Sequence, residues 1–337
     1  MGEVSVKDVA KHAGVSLGTV SNVLNRPEIV REATREKVLA AIEELGFVRN
    51  DAARQLREGR SRSIGLIVLD STNPFFTELA RGAERAALER GHTLVLGNSD
   101  NSSARERDYL DLFEQQRVFG VLIVPAHASP EQAAEYAERG LRTVLVDRAP
   151  DPGSGLEGIS VDDVEGGRLA VRHLLDGGRR RVLFLAGPLG IRQVSQRLEG
   201  ARAAIAEADG EEPPTFRVLE GPEMTIEAGR ALGAQALDAG LEFDAIFASN
   251  DLLAIGFMRE MRERGLSVPE DAAVVGYDDI PYAAMLQMPL TSIRQPAAQI
   301  GAAAVELLLG PAADTGEPNA TMFKPEIVVR ASSGPAV

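Results

Sequence analysis

Carboxylates, amides and guanidinium groups recur in this sequence directly after short apolar runs. IGLIVL is followed by Asn73 and the aromatic pair Phe75 and Phe76, TVLV by Asp147 and Arg148, AIFAS by Asn250 and Asp251, and AVVGY by Asp278 and Asp279. The loop after VLFLAG carries Ser195 and Arg197, and Gln295 follows TSIR. Such a set offers both acceptors and donors, which suits vicinal hydroxyl groups, and phenylalanine rings cover the apolar face of a pyranose or furanose. Read singly, each has a structural alternative: Asn73-Pro74 starts a helix, Asn250 caps the next one, and Asp147-Arg148 is an ion pair. Their shared place at successive strand ends favours one binding site.

A scaffold for that site must bring many strand ends to one side. From Ser63 onward apolar runs alternate with helical stretches: IGLIVL, Phe75 to Glu89, TLVLG, Ala104 to Gln116, GVLIV, Glu131 to Glu138 and TVLVD. The pattern restarts with ISVDD, Val164 to Leu175, VLFLAG, Gln196 to Ala208, FRVLE, Ile226 to Leu237, AIFAS, Leu252 to Arg264 and AVVGYDD. Strands rich in Val, Ile and Leu alternating with helices signify parallel sheets covered on both faces. The sequence therefore predicts two doubly wound parallel α/β lobes, with a ligand held outside the carboxyl ends of their strands.

A second set of polar residues opens the chain. Ser5 stands three residues before Asp8, a capping-box spacing, and Val6, Val9, Ala10 and Ala13 recur at helical spacing. Gly14 ends that helix. Ser16 caps a second, whose Val20, Val23 and Leu24 face the first while Leu17, Gly18, Ser21 and Asn22 face outward. Two short helices about a tight Gly-containing turn form a helix-turn-helix, whose second helix enters the DNA major groove. The bare pattern fits an ordinary helical hairpin equally well. A third helix, Glu32 to Leu45, carries the stripe Val38, Leu39, Ile42 and Leu45 and ends at Gly46. Arg31 precedes it where a Ser or Asp cap is usual, so that end is expected to fray.

The strings VKDVAKHAGVS and TVSNVLN resemble the DNA-binding headpiece of the lac repressor and galactose repressor family of transcriptional regulators. The resemblance implies that Ser5, Ser16, Leu17, Gly18, Thr19, Ser21, Asn22 and Asn25 lie at or near operator DNA. It implies that NDAARQLREG is a hinge helix ordered on DNA, with Asn50 and Ala53 at the groove and Leu56 wedged into the central base step. The family's core has the two-lobed fold of periplasmic sugar-binding proteins. In order, Asn73, Phe75, Phe76, Asp147, Arg148, Arg197, Asn250, Asp278 and Gln295 match the ligand residues of ribose-type members, and Met224 stands where those have a further aromatic. The expected divisions are a headpiece over 1–49, a hinge over 50–61, a first lobe of 62–160 plus 292–323 and a second of 161–291 plus 324–337.

Composition narrows the function classes. Net charge is −14, yet residues 1–62 hold 11 basic against 9 acidic side chains, so the acid lies outside the headpiece. So small an excess is weak for an isolated DNA binder, which points to a homodimer combining two headpieces. The chain has no Cys and four scattered His, so disulfides, thiolate metal sites and a metalloprotease motif are not expected. GSGLEG, residues 153–158, fits a dinucleotide fingerprint but runs from prolines into a strand, the wrong context for one. No catalytic constellation, metal site or cofactor is expected. With no membrane-length apolar run and no signal-peptide core, the expected location is the cytoplasm.

The function expected is a repressor that binds a pseudo-palindromic operator as a dimer and is released by a small sugar, a ribose-like monosaccharide. A purine- or nucleoside-responsive regulator of the same fold is the alternative. A sugar-binding protein without regulatory role is the third reading.

Overall fold

The computed structural model describes residues 4–47, 61–126, 131–208, 213–311 and 320–334. The chain divides into two units, Met1–Arg60 and Ser61–Val337. The expected hinge residues Asn50, Ala53 and Leu56 lie outside the described residues.

In the first unit, α1 (Val6–Ala13), α2 (Leu17–Asn25) and α3 (Glu32–Leu45) enclose a small core of Val9, Ala10, Val20, Val23, Val38, Ala41 and Phe47. The Ser5 N–H and hydroxyl both donate to the Asp8 carboxylate, at 2.9 and 2.6 Å, fixing the start of α1. Gly14, at φ 65°, ends it in the left-handed region that glycine adopts without cost. Arg31 gives α3 no side-chain cap. Its carbonyl accepts the N–H groups of Thr34 and Arg35, each at 3.0 Å, so the helix begins at Glu32.

The second unit holds two six-stranded sheets. In the first, β1 (Ser63–Val68), β2 (Thr93–Asn98), β3 (Gly120–Ile123), β4 (Thr143–Val146), β5 (Glu157–Val161) and β11 (Ala320–Phe323) lie in the order β11-β5-β4-β3-β1-β2, all parallel. In the second, β6 (Arg181–Ala186), β7 (Thr215–Glu220), β8 (Ala245–Ala248), β9 (Ala273–Asp278), β10 (Thr291–Arg294) and β12 (Glu326–Val328) lie in the order β12-β10-β9-β8-β6-β7, with β12 antiparallel. The helices are α4 (Pro74–Glu89), α5 (Ser103–Gln115), α6 (Glu131–Glu138), α7 (Asp163–Asp176), α8 (Arg192–Ala206), α9 (Ile226–Asp238), α10 (Asp251–Glu263), α11 (Pro281–Met285) and α12 (Ala297–Leu309). β3, β4, β8 and β9 are buried along their whole length, as expected of parallel strands covered on both faces.

Two expectations are corrected. The segment ISV, read as opening the second series, belongs to β5 between β4 and β11, so the first sheet gains this strand before the chain crosses into α7. TSIR, expected in the first lobe, pairs in parallel with β9, Thr291 opposite Val275 and Arg294 opposite Asp278. The edge of β9 was open to it, and the Ser292 hydroxyl donates to the buried Asp251 carboxylate at 2.6 Å. The chain therefore crosses back at Gln295 and Pro296. α12 then packs on α4 so closely that a β-carbon at Gly82 or Gly301 would overlap a main-chain carbonyl of the other helix. No described helix is long and apolar enough to cross a membrane.

Candidate functional site

Two cross-lobe hydrogen bonds frame the cleft. Asn73 caps α4, its Oδ1 accepting the Phe75 N–H at 3.0 Å, and its Nδ2 reaches the second lobe's Asp278 Oδ2 at 3.4 Å. Pro74 follows at the first helical position, where no N–H is needed. From the other side, Gln193 near the start of α8 donates to the first lobe's Asp147, at 2.8 Å to its carbonyl and 3.1 Å to its carboxylate. Asp147 directly follows β4 and Asp278 ends β9, with positive φ of 55° and 101° that Asp tolerates better than most residues. The rings of Phe75 and Phe76 meet edge to face, 5.1 Å apart, on the cavity wall. The cavity measures about 20 Å³, roughly the room for one water. In this conformation the lobes close upon their own polar groups.

Arg197 organises the floor. Its Nε donates to Asp163 Oδ1 at 2.8 Å and its Nη1 to the Ser249 carbonyl at 2.6 Å, with Asp278 Oδ1 at 3.8 Å. The guanidinium lies 3.6 Å over the Tyr277 ring, a cation–π contact in a desolvated setting. Burial alone would lower the Arg197 pKa, but the carboxylates around it raise it above its ordinary value. Asp278 is pushed up to about 6 by burial, against the guanidinium and the amides of Gln295 and Asn73. Burial, reinforced by Asp163, holds the Asp147 carboxyl well above the usual range.

The structure brings Asn73, Phe75, Phe76, Asp147, Arg197, Met224, Asn250 and Asp278 to one cavity, as the strand-end reading expects. Gln295 stands behind it, donating to Asp278 Oδ1 at 2.8 Å. Asn250 also keeps its capping role, accepting the Leu253 N–H at 2.9 Å while donating to the Met224 carbonyl at 3.1 Å. Two expected residues lie elsewhere. Ser195 is exposed and donates to the Arg192 carbonyl of its own helix, because α8 starts at Arg192 and position 195 falls on its outer face. Arg148 is buried but outside the cavity lining, donating to Asp151, which also receives Arg192 at 2.8 Å from the other lobe. Gln193 escaped the sequence reading. Gln193 was detectable, four residues before Arg197 and so on the same helical face.

In the headpiece, Leu17 (47% exposed), Gly18 and Asn22 line the outer side of α2. Ser16 is occupied as the cap, its Oγ accepting the Thr19 N–H at 3.1 Å and bonding the Thr19 hydroxyl at 2.9 Å. Asn25 turns back to the Ser21 carbonyl at 2.7 Å. The groups left facing outward at the helix start are thus an apolar side chain and a bare glycine.

Known proteins share this arrangement. Residues 5–50 match bacterial regulatory proteins of the lacI family, and residues 171–333 match a periplasmic binding protein-like domain. A ribose operon repressor of Bacillus subtilis is 37% identical over 306 residues, covering 91% of this chain and 91% of that protein. The chain belongs to the LacI family. Members of the LacI family are DNA-binding transcriptional regulators and not enzymes. The HTH-type transcriptional repressor PurR of Vibrio campbellii is 36% identical over 331 residues, 97% of each chain. Among solved structures, the lac repressor dimer bound to operator and the anti-inducer ONPF matches with a TM-score of 0.87 at 27% identity, covering 99% of this chain and 100% of that one.

Proposed function

We propose that this LacI-family regulator is a repressor that binds a pseudo-palindromic operator as a homodimer and is released by a free monosaccharide of the ribose class. The observation that carries the effector reading is the pair of cross-lobe bonds, Asn73 to Asp278 and Gln193 to Asp147. Both join amide donors to carboxylate acceptors, the groups that sugar hydroxyls, donating and accepting at once, can replace. The ribose operon repressor among its relatives supports the same class. An effector shifts the equilibrium only by as much as its affinity differs between the two arrangements of the lobes. On DNA, Leu17 meets a thymine methyl and Gly18 lets the helix approach, so direct base readout is thin. The polar groups of Ser5, Ser16, Thr19, Ser21, Asn22 and Asn25 add positioning contacts. Operator binding puts the working protein in the cytoplasm.

The PurR relative favours a second reading, in which Phe75 and Phe76 form a stacking wall for a purine. A thermal-shift screen separates the two, since a ligand at a hundred times its Kd adds about 2.7 kcal/mol of stability. Stabilisation by D-ribose or a related monosaccharide, with loss of operator binding, supports the sugar reading; stabilisation by purines or nucleosides alone replaces it.

A further inference from the structure

More negative charge converges in the cleft than its cation can balance. Asp147 comes directly after β4, Asp163 from the start of α7, Asp278 from the end of β9 and Asp251 from the start of α10, and each is at most 7% exposed. Against them stands Arg197, paired with Asp163 at 2.8 Å and 3.8 Å from Asp278. Asn73 from α4, Gln193 from α8, Tyr277 from β9 and Gln295 beyond β10 face the cluster as neutral groups, while Asp162 beside Asp163 and Asp279 beside Asp251 add to its negative field. Nearby cations are paired elsewhere, Arg148 and Arg192 with Asp151, Arg294 and Arg330 with Asp279. With all four carboxyls ionised, three negative charges would be buried uncompensated; Asp147 and Asp278 line the cavity of about 20 Å³, and Asp163 and Asp251 lie behind it. Proteins relieve such a load by protonation.

Asp147 is the best-placed holder. Asp251 is satisfied by the Ser292 hydroxyl at 2.6 Å and the Ile280 N–H at 2.8 Å, and Asp163 has the guanidinium. Asp278 accepts two amides, whereas the Asp147 carboxylate accepts only that of Gln193, and its Oδ1 is buried without a hydrogen-bond partner among the described residues. Burial raises the carboxyl pKa of both Asp147 and Asp251, reinforced by Asp163 at the first and Asp278 at the second, and the hydrogen bonds from Ser292 and Ile280 oppose the rise at Asp251.

We infer that the closed cleft, its lobes joined through their own polar groups, retains a proton on this carboxylate cluster, centred on Asp147, and that an effector whose hydroxyls donate to Asp147 releases it. The carboxylic acid becomes a carboxylate and its proton passes to bulk water. Closure of the lobes upon their own polar groups takes up a proton, and effector binding returns it, so effector affinity falls as the medium acidifies. The retained proton stands on the cluster itself; its release rests on the sugar reading of the cleft.

Asp147→Asn tests the first half without a ligand. Asn keeps an acceptor for Gln193 and tolerates the φ of 55°. A raised carboxyl contributes stability that is lost as pH rises through its folded pKa, and Asn cannot lose it. Full-length Asp147→Asn is expected to melt closest to the wild type at about pH 4, where the unfolded carboxyl, with a pKa of about 3.9, is itself substantially protonated, and to rise above it progressively with pH, by several degrees at about pH 8.5. A difference independent of pH overturns the retained proton. Infrared spectroscopy of the wild type reads the same state even where the variant does not fold: a carboxylic acid C=O band is expected at neutral pH, and its absence overturns the inference. Calorimetric titration with D-ribose in buffers of different ionisation enthalpy then reads the second half. Release of about one proton with loss of the band supports the coupling, and ribose binding without proton release refutes it. The band present with no ribose binding sustains the retained proton and sinks the sugar reading.

Discussion

Gln193 spans the cleft to Asp147, its one amide nitrogen lying 2.8 Å from the main-chain carbonyl and 3.1 Å from the carboxylate. Both acceptors are buried, and no second partner for that carboxylate is present among the described residues. Gln193→Ala is therefore expected to destabilise the ligand-free protein by about 1–3 kcal/mol, the cost of stranding buried acceptors. The melting temperature should fall by several degrees, and an unchanged melt would show that this bond holds nothing.

Asp278 accepts Gln295 Nε2 on one oxygen and Asn73 Nδ2 on the other. Asp278→Asn keeps the shape and suits the φ of 101°, but it turns one acceptor into a donor facing a donor. Effector affinity should drop at least tenfold, about 1.4 kcal/mol or more, with operator binding retained. Titration of D-ribose by calorimetry and of operator by gel shift checks both halves; full effector affinity would remove Asp278 from the site.

In the headpiece, Leu17 and Ser16 are neighbours with separable roles. Ser16 caps α2 and Leu17 is 47% exposed, so Ser16→Ala should cost about 1 kcal/mol of headpiece stability while Leu17→Ala costs almost none. For operator affinity Leu17→Ala should matter, by roughly 1 kcal/mol at sites with a thymine under α2. Circular dichroism melts and operator titrations of the two variants distinguish a structural from a reading role.

Much of the cleft was legible because parallel strands announce themselves as apolar runs and ligands gather at their ends. Asn73, Asp147, Asn250 and Asp278 each stand one or a few residues past a strand, or at its last position, and needed only that rule. What failed were phases within an element and partners across it. Starting the helix at Gln196 instead of Arg192 put Gln193 and Ser195 in a loop, where no rule says which side chain turns inward. On a helix the answer is immediate, since positions 193 and 197 share a face and 195 does not. Arg148 sits at the expected strand end, yet its donor goes to Asp151, a pairing that no local spacing shows. β10 was misplaced for a similar reason: TSIR is apolar enough for either sheet, and the open edge of β9 decides.

Arg197 makes the cleft's charge balance testable by its removal. Arg197→Met keeps an aliphatic stem but removes the guanidinium that lies over the Tyr277 ring, and it leaves Asp163 and Asp278 buried without their counterion. Breaking a buried pair in this way costs about 3–5 kcal/mol. Asp278 already titrates near 6 because burial outweighs the guanidinium's pull, and without that pull it and Asp163 rise further. A raised carboxyl is neutral below its folded pKa, so protonation relieves the variant as pH falls, and the deficit should be largest near pH 8 and shrink toward pH 5. Denaturant unfolding across that range checks the sign. A deficit of constant size would mean that Arg197 acts through its packing on Tyr277 at 3.6 Å, and that the carboxylates around it are already neutral.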